Sequence, residues 1–139
     1  MVMRVEVLPG SPIMKLAIVG SRMYSDPGEV AEYVMALPPD TVIVSGGAPG
    51  VDSWAALVAE VMGFPEAIVH RPDWKAHGKG AGFIRNRLIV RDAHAVVAFW
   101  DGRSPGTRDT ILAAEKAGKL FDVYLNETPL RSKDRTPVS

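Results

Sequence analysis

The chain has 139 residues, enough for one domain that buries a core without metal or disulfide staples. Its 16 basic and 16 acidic side chains cancel, so no global charge draws it to nucleic acid or to an acidic membrane, and an anion site must be built locally. The absence of cysteine excludes disulfides, thiolate metal sites and a cysteine nucleophile, and it suits a reducing, cytoplasmic setting. No apolar run approaches the roughly 20 residues that a membrane span needs, and residues 1–12, broken by Glu6, Pro9 and Gly10, lack the apolar stretch of a signal peptide.

In chain order, Met1 to Leu8 offers an optional edge strand within an N-terminal extension, residues 1–13. Met14 to Val19 reads as a strand that Gly20-Ser21-Arg22 breaks. Ser25-Asp26-Pro27 supplies a helix start, and Val30, Tyr33, Val34 and Leu37 carry a helix to Leu37, where Pro38-Pro39 stops it. Thr41 to Val44 is a second strand, ending in Ser45-Gly46-Gly47-Ala48-Pro49-Gly50. Val51, Ala55, Val58, Ala59 and Met62 share one face of the next helix, which Gly63 closes. Glu66 to Val69 reads as a third strand, Arg71 to Gly82 as irregular, and Phe83 to Arg91 as a helix. Ala95 to Phe99, apolar on both faces, has the character of a buried parallel strand. A loop over Trp100 to Thr107, a helix over Arg108 to Ala117 and a last strand over Leu120 to Leu125 follow, and residues 126–139 read as a polar tail.

Strands alternating with helices predict an α/β fold: a Rossmann-like α/β/α sandwich over residues 14–125, with a parallel five-stranded sheet ordered 3-2-1-4-5. The order reverses between strands 1 and 4, and ligands collect beyond the carboxyl ends there.

Three glycine-bearing turns fall at that edge: Gly20-Ser21-Arg22, Gly46 to Gly50, and Gly102 to Thr107. Glycine admits a ligand close to the backbone, and helix N-termini favour anions. One such turn is ordinary in an α/β protein; three converging suggest a phosphate pocket. Neither the P-loop pattern nor G-x-G-x-x-G occurs, which argues against a P-loop NTPase and a dinucleotide dehydrogenase. Segment 71–91 carries Arg71, Lys75, Lys79, Arg85, Arg87 and Arg91 against Asp73 alone. These bases either form a solvated face or serve the pocket or a nucleic-acid backbone. Arg85 and Arg87 diverge by about 200° around a helix, so only one can enter a given pocket. Trp74 and Trp100 either stack on a base or pack beneath a loop. Asp52 is a first-turn acid that either props up the glycine loop or meets a ribose, and Asp101 and Asp109 flank the last loop. His70, His77 and His94 lack metal-site spacing and Ser21, Ser45 and Ser104 lack the serine-hydrolase elbow, so neither a metal site nor a serine hydrolase is expected.

The segments I-V-G-S-R (Ile18 to Arg22), V-S-G-G-A-P-G-V-D (Val44 to Asp52), G-K-G-A-G-F-I-R-N (Gly78 to Asn86) and A-F-W-D-G-R-S-P-G-T (Ala98 to Thr107) occur in that order. Together they resemble the SLOG superfamily, the Rossmann-like proteins related to DprA and to the LOG cytokinin-activating hydrolases, and most resemble its YspA/YpsA-type branch. The resemblance spans Lys15 to Val123 and implies a nucleotide-derived or nucleic-acid ligand, with single-stranded DNA as the DprA-like alternative. In LOG enzymes an arginine and a glutamate act in cleaving a base from a nucleoside monophosphate. Arg85, followed by Asn86, takes the arginine's place, whereas Thr110 stands where the glutamate is expected and Asp109 is one residue away.

The reading that follows is binding or sensing of a nucleotide-like ligand, with no cofactor expected beyond a bound nucleotide or phosphate and with a homo-oligomer as the expected assembly. Its expected ligand contacts are Gly20, Ser21, Arg22, Ser45, Gly46, Gly47, Gly50, Asp52, Arg85, Asn86, Trp100, Asp101, Gly106 and Thr107. Arg85 and Asp109 are the catalytic candidates if the protein is instead a phosphoribohydrolase.

Overall fold

A computed structural model of the chain describes residues 14–125. The expected edge strand at Met1 to Leu8, the extension 1–13 and the tail 126–139 lie outside the described residues. Five strands, β1 (Lys15–Gly20), β2 (Val42–Ser45), β3 (Ile68–Val69), β4 (Ala95–Trp100) and β5 (Leu120–Leu125), form one sheet ordered β3-β2-β1-β4-β5. Every pairing is parallel, as the alternation of strands and helices predicts. The helices are α1 (Pro27–Met35), α2 (Val51–Val61), α3 (Trp74–His77), α4 (Ala81–Asp92) and α5 (Pro105–Lys116).

Successive strand side chains point to opposite faces, and the two faces are filled differently. Leu16, Ile18, Ile43, Val97 and Phe99 meet Val30 and Val34 of α1 and Val51, Ala55 and Ala59 of α2. Phe99 stacks on Tyr124 at 4.7 Å between ring centroids and meets Tyr24 and Tyr33 edge-on. On the other face the smaller Ala17, Val19, Val44, Val96 and Ala98 pack against Ile89 and Val90 of α4 and Ala114 of α5.

Several boundaries differ from the sequence expectation, among them these four. The third strand is only Ile68–Val69; it is an edge strand paired with β2 alone, through two registered residues. The stretch read as irregular contains α3, whose N-cap Asp73 accepts from the Ala76 N–H, then a 3-10 turn over Gly78–Gly80. Helix α5 begins at Pro105, three residues before the expected Arg108, because Ser104 caps it and proline suits the first helical turn. Helix α1 ends at Met35, short of Leu37, ahead of the two prolines.

Candidate functional site

The site forms where the strand order reverses, between the ends of β1 and β4. Gly20 closes β1, and a Cβ there would lie 2.4 Å from the Phe99 carbonyl oxygen and 2.7 Å from Val51 Cβ. That close approach lets the β1 loop settle against β4 and α2. The next residue, Ser21, is fully buried; its hydroxyl donates to Asp101 Oδ1 at 3.1 Å, and its Oγ accepts from the Asp101 N–H at 3.1 Å. Asp101 Oδ1 also accepts from the N–H groups of Arg103 at 2.9 Å and Ser104 at 2.8 Å. Burial pushes the Asp101 carboxyl up, but these donors outweigh it and hold it below the ordinary carboxylate range.

The β2 loop is organised around a second buried acid. Asp52 Oδ2 accepts from the N–H groups of Gly46 at 2.9 Å and Ala48 at 3.4 Å. Burial pushes the Asp52 carboxyl up to about 6, against these N–H donors, the charge of Arg85 and the Gly20 backbone. The Gly47 N–H donates to Ser45 Oγ at 3.3 Å. These N–H groups therefore serve the loop's own side chains. Gly50, at φ +87°, sits where a Cβ would lie 2.6 Å from Arg22 Cα, so it allows the β1 and β2 loops to touch.

Arg85, half-buried on α4, donates from Nη1 to the Gly46 carbonyl at 2.8 Å and from Nε to Asn86 Oδ1 at 2.9 Å. Its Nη2 has no partner among the described residues. Burial lowers the Arg85 pKa, with Asp52 opposing, yet a guanidinium stays cationic at neutral pH. Asn86 Nδ2 donates to the Gly106 carbonyl at 3.2 Å and to Asp109 Oδ2 at 3.0 Å. This chain of bonds runs from the β2 loop across α4 to α5.

A cavity of about 190 Å³ lies above it. Of the residues expected at a ligand, Gly20, Arg22, Asp52, Arg85, Asn86, Gly106 and Thr107 line it. Ser21, Ser45, Gly46, Gly47, Gly50, Trp100 and Asp101 are not among the lining residues and build the loops behind it. Asp109 stands behind Asn86 and borders instead a groove between α4 and α5, where Arg87 also lies. Arg85 and Arg87 thus face different hollows, as their helical separation requires. The Trp100 indole N–H donates to the Ser104 carbonyl at 3.1 Å, so the ring braces its own loop, while Trp74 is exposed. His70 pairs with Asp92 at 2.6 Å, and His94 Nδ1 accepts from the Lys15 N–H at 2.8 Å.

The sequence reading missed Ser104 and Thr110 as pocket residues. The Ser104-Pro105 pair is a helix-start signature that could have placed Ser104, and Thr110 lies one turn after Gly106, whose carbonyl accepts from its hydroxyl at 3.2 Å.

The chain is 42% identical over 115 residues to the Gene 61 protein of Mycobacterium phage D29, a match covering 75% of this chain and 90% of that protein. The chain belongs to the family of that phage protein. No family model matches the sequence. Among solved structures it is similar to DNA processing protein A from Helicobacter pylori, with a TM-score of 0.57 and 24% identity over 87% of this chain and 67% of that one. That structure is described as showing a single-stranded DNA binding mode. At this identity the likeness shows a common fold, the Rossmann-like one that the alternation of strands and helices predicts. Among the described residues no helix is long and apolar enough to cross a membrane.

Proposed function

We propose that the pocket binds the phosphate of a nucleotide or nucleotide-derived ligand. The observation that carries this reading is the pair of guanidinium groups on one small cavity at the switch of strand order. Arg22 is exposed at its rim and makes no hydrogen bond or ion pair among the described residues, and Arg85 has Nη2 unengaged. Planar guanidinium groups with free N–H donors suit phosphate. The one carboxylate on the same cavity among the described residues, Asp52, is turned toward backbone N–H groups, which leaves the pocket a net cation.

The geometry supports binding over cleavage. Thr110 occupies the place where the LOG resemblance calls for a glutamate, and Asp109 is held behind Asn86. Membership of the SLOG superfamily, and of its YspA/YpsA-type branch, is part of the same proposal. Titration calorimetry against nucleoside mono-, di- and cyclic phosphates tests it. Arg85→Ala is expected to weaken binding by about tenfold or more, the scale of a lost charge-assisted hydrogen bond. No binding across the panel would overturn the reading, and release of free base from nucleoside monophosphates would turn it into a hydrolase.

A second reading, single-stranded DNA binding, is favoured by the fold shared with DNA processing protein A and by the bases of segment 71–91. Against it stands a net charge of zero. A salt-sensitive mobility shift with single-stranded oligonucleotides would support it, and no shift at low salt would remove it. A homo-oligomer belongs to the proposal too, supported by exposed apolar side chains such as Val61 and Leu112, and light scattering checks it.

A further inference from the structure

The same pocket, on the reading that it holds phosphate, says which part of a nucleotide it encloses. Its volume of about 190 Å³ falls below the roughly 300–1,000 Å³ of cavities that enclose drug-sized ligands. No aromatic side chain lines it among the described residues, so nothing inside it can stack on a base. The nearby indole of Trp100 donates its N–H to the Ser104 carbonyl and is not among the residues lining the cavity.

The polar groups are sorted by depth. The cationic donors, Arg22 and Arg85, are exposed and half-buried, while Asp52, Asn86, Thr107 and Thr110 are buried. The buried groups have spent their donors. Thr110 donates its hydroxyl proton to Gly106, and Asn86 uses Nδ2 on Gly106 and Asp109. What remains on the lining are acceptor lone pairs on Thr110 Oγ1 and on Asn86 Oδ1 beside the Arg85 Nε bond, together with the hydroxyl proton of Ser104, whose Oγ accepts from Thr107. Two acceptors beside one hydroxyl donor fit the hydroxyl groups of a sugar, which both donate and accept, and guanidinium groups at the rim fit its phosphate.

We infer that the pocket takes the sugar-phosphate end of a nucleotide and leaves the base outside, unread. The base projects past the rim, so affinity follows the sugar and phosphate rather than base identity.

Titration calorimetry of the wild-type protein with inorganic phosphate, ribose 5-phosphate, AMP, GMP, CMP and UMP tests this. Ribose 5-phosphate is expected to bind at least about fivefold more tightly than phosphate, with the four nucleotides within about fivefold of one another. Thr110→Val, which removes an inward acceptor, is expected to weaken ribose 5-phosphate while leaving phosphate unchanged. A spread among the nucleotides above about fivefold, or ribose 5-phosphate gaining less than that over phosphate, overturns the inference and leaves the phosphate site standing. If neither phosphate nor any nucleotide binds, the phosphate reading itself falls and this inference with it.

Discussion

Asp52 and Asp101 occupy neighbouring loops on the same edge of the sheet and are exposed to nearly the same degree, 4% and 5%, yet their carboxyl groups shift in opposite directions. Asp101 gathers the Ser21 hydroxyl and the Arg103 and Ser104 N–H groups at 2.8 to 3.1 Å on a single oxygen. Asp52 has a good bond from Gly46 at 2.9 Å and a long one from Ala48 at 3.4 Å, and its loss of hydration dominates. Surface exposure alone therefore does not set the character of an acid: Asp52 lies deeper among protein atoms and has the weaker donors, and both push its carboxyl up. Asp101 is a stable knot in its loop. Asp52 is a charge held at a cost, beside the cavity and beside Arg85.

The largest test of the two loops concerns their glycines. Gly50→Ala is expected to destabilise by about 3 kcal/mol or more, since it combines a positive φ with a clash against Arg22 backbone, and urea unfolding measures it. Asp101→Ala follows, at about 3 kcal/mol, because it strands a buried hydroxyl and two N–H groups. Asp52→Ala should cost less than half as much at pH 7, because relief of the buried charge offsets its lost bonds. Equal losses would break the contrast between the two acids.

Asp52→Asn sharpens it through pH. The folded Asp52 titrates near 6, above its ordinary 3.8, so the folded chain binds a proton that the unfolded chain has already released between those values. This group's contribution is therefore fully present below pH 3.8 and is lost as pH rises through 6. The asparagine variant should gain on the wild type by about 2 kcal/mol between pH 4 and pH 7 in unfolding free energy. Asp101 contributes the opposite slope, with stability present at neutral pH and lost as acid protonates it below its ordinary range. The smallest effect is Gly106→Ala. A Cβ there meets no atom within 4 Å and the position is helical, so stability should rise by about 0.5 to 1 kcal/mol.

Much of this fold was legible from hydrophobic pattern. The apolar run of β4, the alternation of strands and helices and the five-strand order could all be read, because a sheet buried on both faces needs apolar side chains on both faces. Element ends were less legible. Asp73 caps a short helix within a stretch that reads as irregular, and Ser104 caps a helix expected only from Arg108, since each looks like any polar loop residue until its side chain meets an N–H three residues on.

The sequence by itself determined that three glycine-bearing loops meet at one edge of a parallel sheet, because strand order follows from connectivity and handedness. Only the tertiary structure decided what those loops do with their donors. The N–H groups of Gly46, Gly47 and Ala48 turn to Asp52 and Ser45, and those of Arg103 and Ser104 turn to Asp101, so among the described residues the cationic donors left on the cavity are Arg22 and Arg85. The reason is geometric. A backbone N–H points where the local turn aims it, and whether a carboxylate from the same chain already stands there depends on a few tenths of an ångström of packing that residue order does not record.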